Sequence, residues 1–142
     1  MNCYELHSTI PSPGASTAFL EFSPNGRFLA VGDRALPLLY ILDSLSGFHP
    51  IISGVMPAKP TVLVWENSKE FYVGLDDGRF VHYQISQGGK ELVKGVVNNN
   101  FYGRFPATAI ALDVESKTLV LSVGPGIFVF RRTCAKSTFN YR

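Results

Sequence analysis

Apolar and polar positions along this chain fall into short runs of about six residues separated by turn residues, and no helical stripe of any length develops. The first run, Ala18-Phe19-Leu20-Glu21-Phe22, ends at Ser23-Pro24-Asn25-Gly26. There Pro supplies a fixed φ and Asn-Gly the positive φ that a hairpin turn needs. A second run, Phe28-Leu29-Ala30-Val31-Gly32-Asp33, and a third, Leu38-Leu39-Tyr40-Ile41-Leu42-Asp43, complete a strand–turn–strand–turn–strand unit. The unit recurs. Thr61 to Trp65, Glu70 to Leu75 and Phe80 to Ile85, with Asp76-Asp77-Gly78 as a turn, form its second copy. The third copy is Ala109 to Asp113, Thr118 to Val123 and Ile127 to Phe130, with Gly124-Pro125-Gly126 as a turn. Phe22 falls on Val64 and then on Leu112, and Gly32 falls on Gly74.

An offset of about 42 and then about 48 residues matches the roughly 40 to 45 residues of a four-stranded propeller blade. Each copy leaves room for a fourth, outer strand: Pro50 to Val55, Glu91 to Val97 and Thr138 to Tyr141. The third strands are apolar at nearly every position, as expected where neighbouring sheets cover both faces. The spacing therefore predicts an all-β chain, a partial β-propeller of about three four-stranded antiparallel blades. The blades would span residues 15–56, 57–104 and 105–142 of a single propeller segment, 1–142. About three blades leave two terminal sheets with an uncovered apolar face, so self-association or additional blades are expected for closure.

The first copy carries a family likeness. Phe19 to Gly32, with Phe22-Ser23-Pro24-Asn25-Gly26-Arg27 at its centre, followed by Tyr40-Ile41-Leu42-Asp43-Ser44-Leu45-Ser46-Gly47, resembles a WD40 repeat. Leu42-Asp43 stands where that family has Trp-Asp. The likeness extends over Ala18 to Arg132 and weakens after the first copy: the Gly-His dipeptide is missing from all three copies, and the later third strands end without an Asp. The resemblance implies a propeller that binds other proteins, with its partner face formed by loops that include residues 98–106.

Composition narrows the function classes. At 142 residues, 46% hydrophobic and 17% charged, the chain has ample material for a packed core. No apolar stretch approaches the roughly 18 to 20 residues that span a bilayer, so no membrane contact is expected. The first residues, Met1 to His7, lack both the basic and the apolar region of a secretory signal, and Cys3 and Cys134 form no CxxC pair. A cytoplasmic location, or a nuclear one, is the expectation. Net charge is only +2, although the stretch from Ser116 to Arg142 holds five basic residues and no acid. Nucleic acid is therefore not the expected partner, and a nucleic-acid-binding propeller using that basic region stands as an alternative.

Candidate chemistry is sparse. His7, His49 and His82 show no helical i, i+4 spacing to another ligand, so no metal site is expected, and His82, in Phe80-Val81-His82-Tyr83, reads as a hydrogen-bonded core or blade-interface histidine. No Gly-x-Ser-x-Gly elbow occurs, and Gly88-Gly89-Lys90 reads as a hairpin turn and not as a phosphate loop. Asp76-Asp77 reads as turn capping. No catalytic residue and no cofactor is assigned, and a propeller hydrolase of lactonase type stands as the enzymatic alternative. The segment Asn98 to Pro106 remains, with three aromatics and an arginine in one loop. Those residue types dominate interface energetics, so Phe101, Tyr102, Arg104 and Phe105 are the expected contact residues for a protein partner.

Overall fold

The computed structural model describes residues 3–98 and 105–132. Eleven strands account for its regular structure: β1 (Thr17–Phe22), β2 (Phe28–Asp33), β3 (Leu38–Asp43), β4 (His49–Val55), β5 (Pro60–Trp65), β6 (Glu70–Leu75), β7 (Phe80–Ile85), β8 (Leu92–Asn98), β9 (Ala107–Asp113), β10 (Thr118–Val123) and β11 (Gly126–Arg131). They form three antiparallel sheets in sequence order, β1 to β4, β5 to β8, and β9 to β11. Each sheet is one copy of the repeat. The outer strands β4 and β8 lie within a residue of the positions expected from the pattern. The expected outer strand of the third copy, Thr138 to Tyr141, lies outside the described residues.

The turns form where local chemistry demands them. Gly26 and Gly78 both adopt positive φ, 74° and 85°, which L side chains reach only at a cost. Ser23 Oγ accepts from the Phe28 amide, and Asp77 Oδ1 accepts from the Arg79 amide, so side chains close both hairpins. Asp43, at the place of the Trp-Asp aspartate, caps the single short 3-10 turn Ser44–Ser46 by accepting from the Leu45 amide at 3.0 Å.

Strand alternation then sends successive side chains to opposite neighbours. In the middle sheet, Leu63, Trp65, Phe71, Val73, Leu75, Val81, Tyr83 and Ile85 meet Ala30, Leu39, Ile41 and Ile52 of the first sheet. Tyr72 on the other side meets Ala107, Leu119, Leu121 and Val123 of the third, with Val62, Val64 and Phe80 packed alongside. Both faces of the middle sheet are thus covered, and every residue of β6 is buried. Full burial of each large aliphatic or aromatic side chain contributes about 1.5–3 kcal/mol. Polar bonds fix the registry of the sheets: the Trp65 indole N–H donates to the Glu21 carbonyl at 3.1 Å, and the Thr61 hydroxyl to the Ala107 carbonyl at 2.6 Å. Gly32 and Gly74 occupy equivalent places because side chains lie over both. Phe19 presses on Gly32, and a Cβ at Gly74 would stand 2.6 Å from Val62 Cγ2.

The β1 and β9 strands each pack against β5, so the first strands of the three sheets line one side of the array. The outer faces of the first and third sheets stay open. Leu20 and Phe22 are 59% and 53% exposed on one, Ile127 and Val129 72% and 57% on the other. Among the described residues no helix is long and apolar enough to cross a membrane.

Candidate functional site

One end of the array collects the starts of β1, β5 and β9 and the turns β2–β3, β6–β7 and β10–β11. These turns are internally satisfied. Asp33 Oδ1 accepts from the amides of Ala35 and Leu36 at 2.8 and 3.1 Å, and Arg79 pairs with Asp77 at 2.7 Å. The expected contact loop enters at this end. Phe101, Tyr102 and Arg104 lie outside the described residues. Phe105 lies within them, 51% exposed, with its ring against Gly124 and its carbonyl beside Gly78. It shares the end with Leu36, 52% exposed. The surface is a set of hydrogen-bonded turns carrying separate apolar side chains.

The opposite end holds a polar cluster buried between the second and third sheets. The turn between β5 and β6 places Glu66 at its entrance and Glu70 at its exit, and Asn67 builds it by accepting from the amides of Lys69 and Glu70. Tyr72 and His82 are register partners on β6 and β7, and their rings stack at 4.3 Å with 10° between planes. Arg132, following β11, reaches across the seam. Its Nη2 donates to Glu66 Oε1 at 2.8 Å and to the Tyr72 hydroxyl at 2.9 Å, while that hydroxyl donates to Glu66 Oε1 at 3.2 Å. Glu70 Oε2 accepts from Asn67 Nδ2 at 3.0 Å, and Glu70 Oε1 lies 3.2 Å from His82 Nε2.

Glu66, Glu70, Tyr72 and His82 are all buried. Burial pushes the His82 imidazole below its ordinary pKa and outweighs the opposing pull of Glu70 and Glu66. Burial likewise raises the Tyr72 phenol. One donor atom each from Glu66, Glu70 and His82 lies within 4.8 Å of the others. His82 is thus the blade-interface histidine expected from its strand. Helical ligand spacing does not relate its carboxylate partners to it: Glu66 and Glu70 flank a hairpin turn, and His82 comes from a neighbouring strand. The sequence carries only part of a signal, an acid at each end of one turn and a histidine on the next strand, and none for Arg132.

The first strands offer little acid–base chemistry: among β1, β5 and β9 the carboxylates are Glu21 and Asp113 alone.

The geometry defines an antiparallel array of blades whose loops gather at its ends. Solved structures share it. The β-propeller domain of Cps50 (Swd1) from Myceliophteria thermophila superposes with a TM-score of 0.68 at 16% identity, over 82% of this chain and 40% of that one. The C-terminal WD40 domain of Sif2 gives a TM-score of 0.63 at 8% identity, over 89% and 34%. A Bacteroides fragilis protein described as a 6-phosphogluconolactonase gives 0.71 at 14% identity, over 92% and 38%. The chain therefore has the fold of a WD40-like β-propeller, and it spans about a third of the length of the solved structures it matches. No protein-family model matches the chain, and no curated protein matches it in sequence.

Proposed function

We propose that this chain is a protein-interaction scaffold whose partner binds at the end where Phe105 lies, with Phe101, Tyr102 and Arg104 as further contact residues. The observation that carries the reading is Phe105: a large aromatic half in solvent, held between the β6–β7 and β10–β11 turns. Aromatic and arginine anchors on preordered turns lose little entropy on binding and supply most of an interface's energy. WD40 propellers among the fold's neighbours, one within a mitotic checkpoint complex, support a binding role. The hydrolase alternative rests on likeness of fold alone.

A photo-crosslinking residue placed at Phe105, compared with one at exposed Gln87 on the opposite end, tests the reading in extracts of the source cell. A discrete adduct from position 105, suppressed by excess unmodified chain and not by a chain bearing Arg104→Ala and Tyr102→Ala, is expected. Equal labelling from both positions overturns it.

A further inference from the structure

The geometry points to a buried site for one divalent transition-metal ion of the zinc type, ligated by Glu66, Glu70 and His82 at the seam between the second and third sheets. This departs from the expectation of no metal site, and it is independent of the binding face at the other end. Two carboxylates and one imidazole are a donor set that suits zinc. The 3.2 Å between His82 Nε2 and Glu70 Oε1 is close to the separation of neighbouring ligands on a tetrahedral ion with bonds of about 2.0–2.1 Å. The third donor, Glu66, lies within 4.8 Å of both.

The groups around the donors add a second, independent observation. Each carboxylate is fastened by one oxygen to a neutral or cationic partner: Glu66 Oε1 to Arg132 and Tyr72, and Glu70 Oε2 to Asn67. The His82 ring is fixed by stacking on Tyr72. Partners that orient ligands in this way are the usual surround of a protein metal site. Arg132 does not replace the ion: it holds the Glu66 oxygen and comes from the rim, where its side chain is 14% exposed. Glu70, 12% exposed, gives the ion an entry path.

The test is titration of the chelator-treated full chain with Zn²⁺, followed by calorimetry and by histidine ¹⁵N NMR. The expected result is one saturable site per chain, with the His82 ring resonances shifting and those of His7 and His49 unmoved. Asn67→Ala should weaken the site by roughly 10- to 100-fold, and the isosteric Glu70→Gln by more. Co²⁺ in the same site should give the intense visible absorption of a four-coordinate ion. Absence of saturable binding overturns the proposal, as does binding that Glu70→Gln leaves intact or that shifts His7 and His49 instead. Wild-type NMR decides the matter even if a variant fails to fold.

Discussion

Arg132 and Glu66, 66 positions apart in sequence, meet at 2.8 Å across the seam between the second and third sheets. The side chain of Glu66 is 2% exposed. Arg132→Met should therefore destabilise the chain by about 3 kcal/mol, because it takes a cationic partner from a buried carboxylate. Adding Glu66→Gln to Arg132→Met should recover much of the loss. Urea unfolding of the two single variants and the double variant measures both; equal midpoints for wild type and Arg132→Met would show that the pair contributes nothing.

Trp65, the sole tryptophan, lies in the other seam, against Phe71 at 4.9 Å and bonded to the Glu21 carbonyl. Its emission reports on the first and second sheets alone. In Arg132→Met the third sheet should lose hydrogen-exchange protection at lower urea than the Trp65 transition, whereas in wild type the two should move together. Coincident transitions in the variant would contradict a separable seam.

Glycine positions give a contrast within one sheet. Gly74→Ala forces a Cβ to 2.6 Å from Val62 Cγ2 and 2.9 Å from the Ala107 Cβ, both in the packed seam, so a loss of about 1–3 kcal/mol is expected. Gly88→Ala meets nothing within 4 Å and should change stability by less than about 0.5 kcal/mol. Thermal unfolding of the pair reads the difference directly, and a neutral Gly74→Ala would mean that the seam is looser than its geometry implies.

Tyr83 sets the alkaline limit. Burial in the seam with the first sheet pushes its phenol up to about 12, and its buried hydroxyl makes no hydrogen bond among the described residues. Since the unfolded phenol titrates near 10, folding favours the protonated form. This contribution is complete below pH of about 10 and is lost as pH rises towards about 12. Tyr83→Phe should flatten the fall of stability over that window and do little at neutral pH. Ultraviolet titration of the phenolate gives the second check: one tyrosine that ionises at ordinary pH in place of Tyr83 would remove the argument.

How much of this was legible in the sequence follows from the range of each interaction. Strands and turns were readable because their causes are local: Asn25-Gly26 and Asp77-Gly78 dictate hairpins, and alternation tells which residues of a strand share a face. The equivalence of Gly32 and Gly74 was readable because the repeat makes the same close approach twice. The cluster of Glu66, Glu70, Tyr72, His82 and Arg132 was not. Its members come from two sheets, and nothing local to Arg132 distinguishes it from Arg131, whose neighbouring position sends it elsewhere. Of the four expected contact residues, Phe105 alone lies in the described part of the chain, where it is half exposed and lies against Gly124.

The open faces lead to the final prediction. Each seam within the chain joins one face of a sheet to the opposite face of the next, and among the described residues the first and third sheets each keep one such face without a neighbour. On the first, Leu20 and Phe22 are more than half exposed; on the third, Ile127 and Val129 are, while Phe128 and Phe130 between and beyond them turn inward to the seam. Soluble monomers rarely leave contiguous apolar patches larger than a few hundred Å² in water. The purified 142-residue chain should therefore self-associate, the face of the third sheet in one copy meeting that of the first sheet in another. Light scattering should give a mass at least twice that of one chain, and Ile127→Lys with Val129→Lys should lower it by placing charges on one of the two faces. A chain that stays monomeric at high concentration, with a sharp unfolding transition unaffected by those lysines, would show that neither face needs cover.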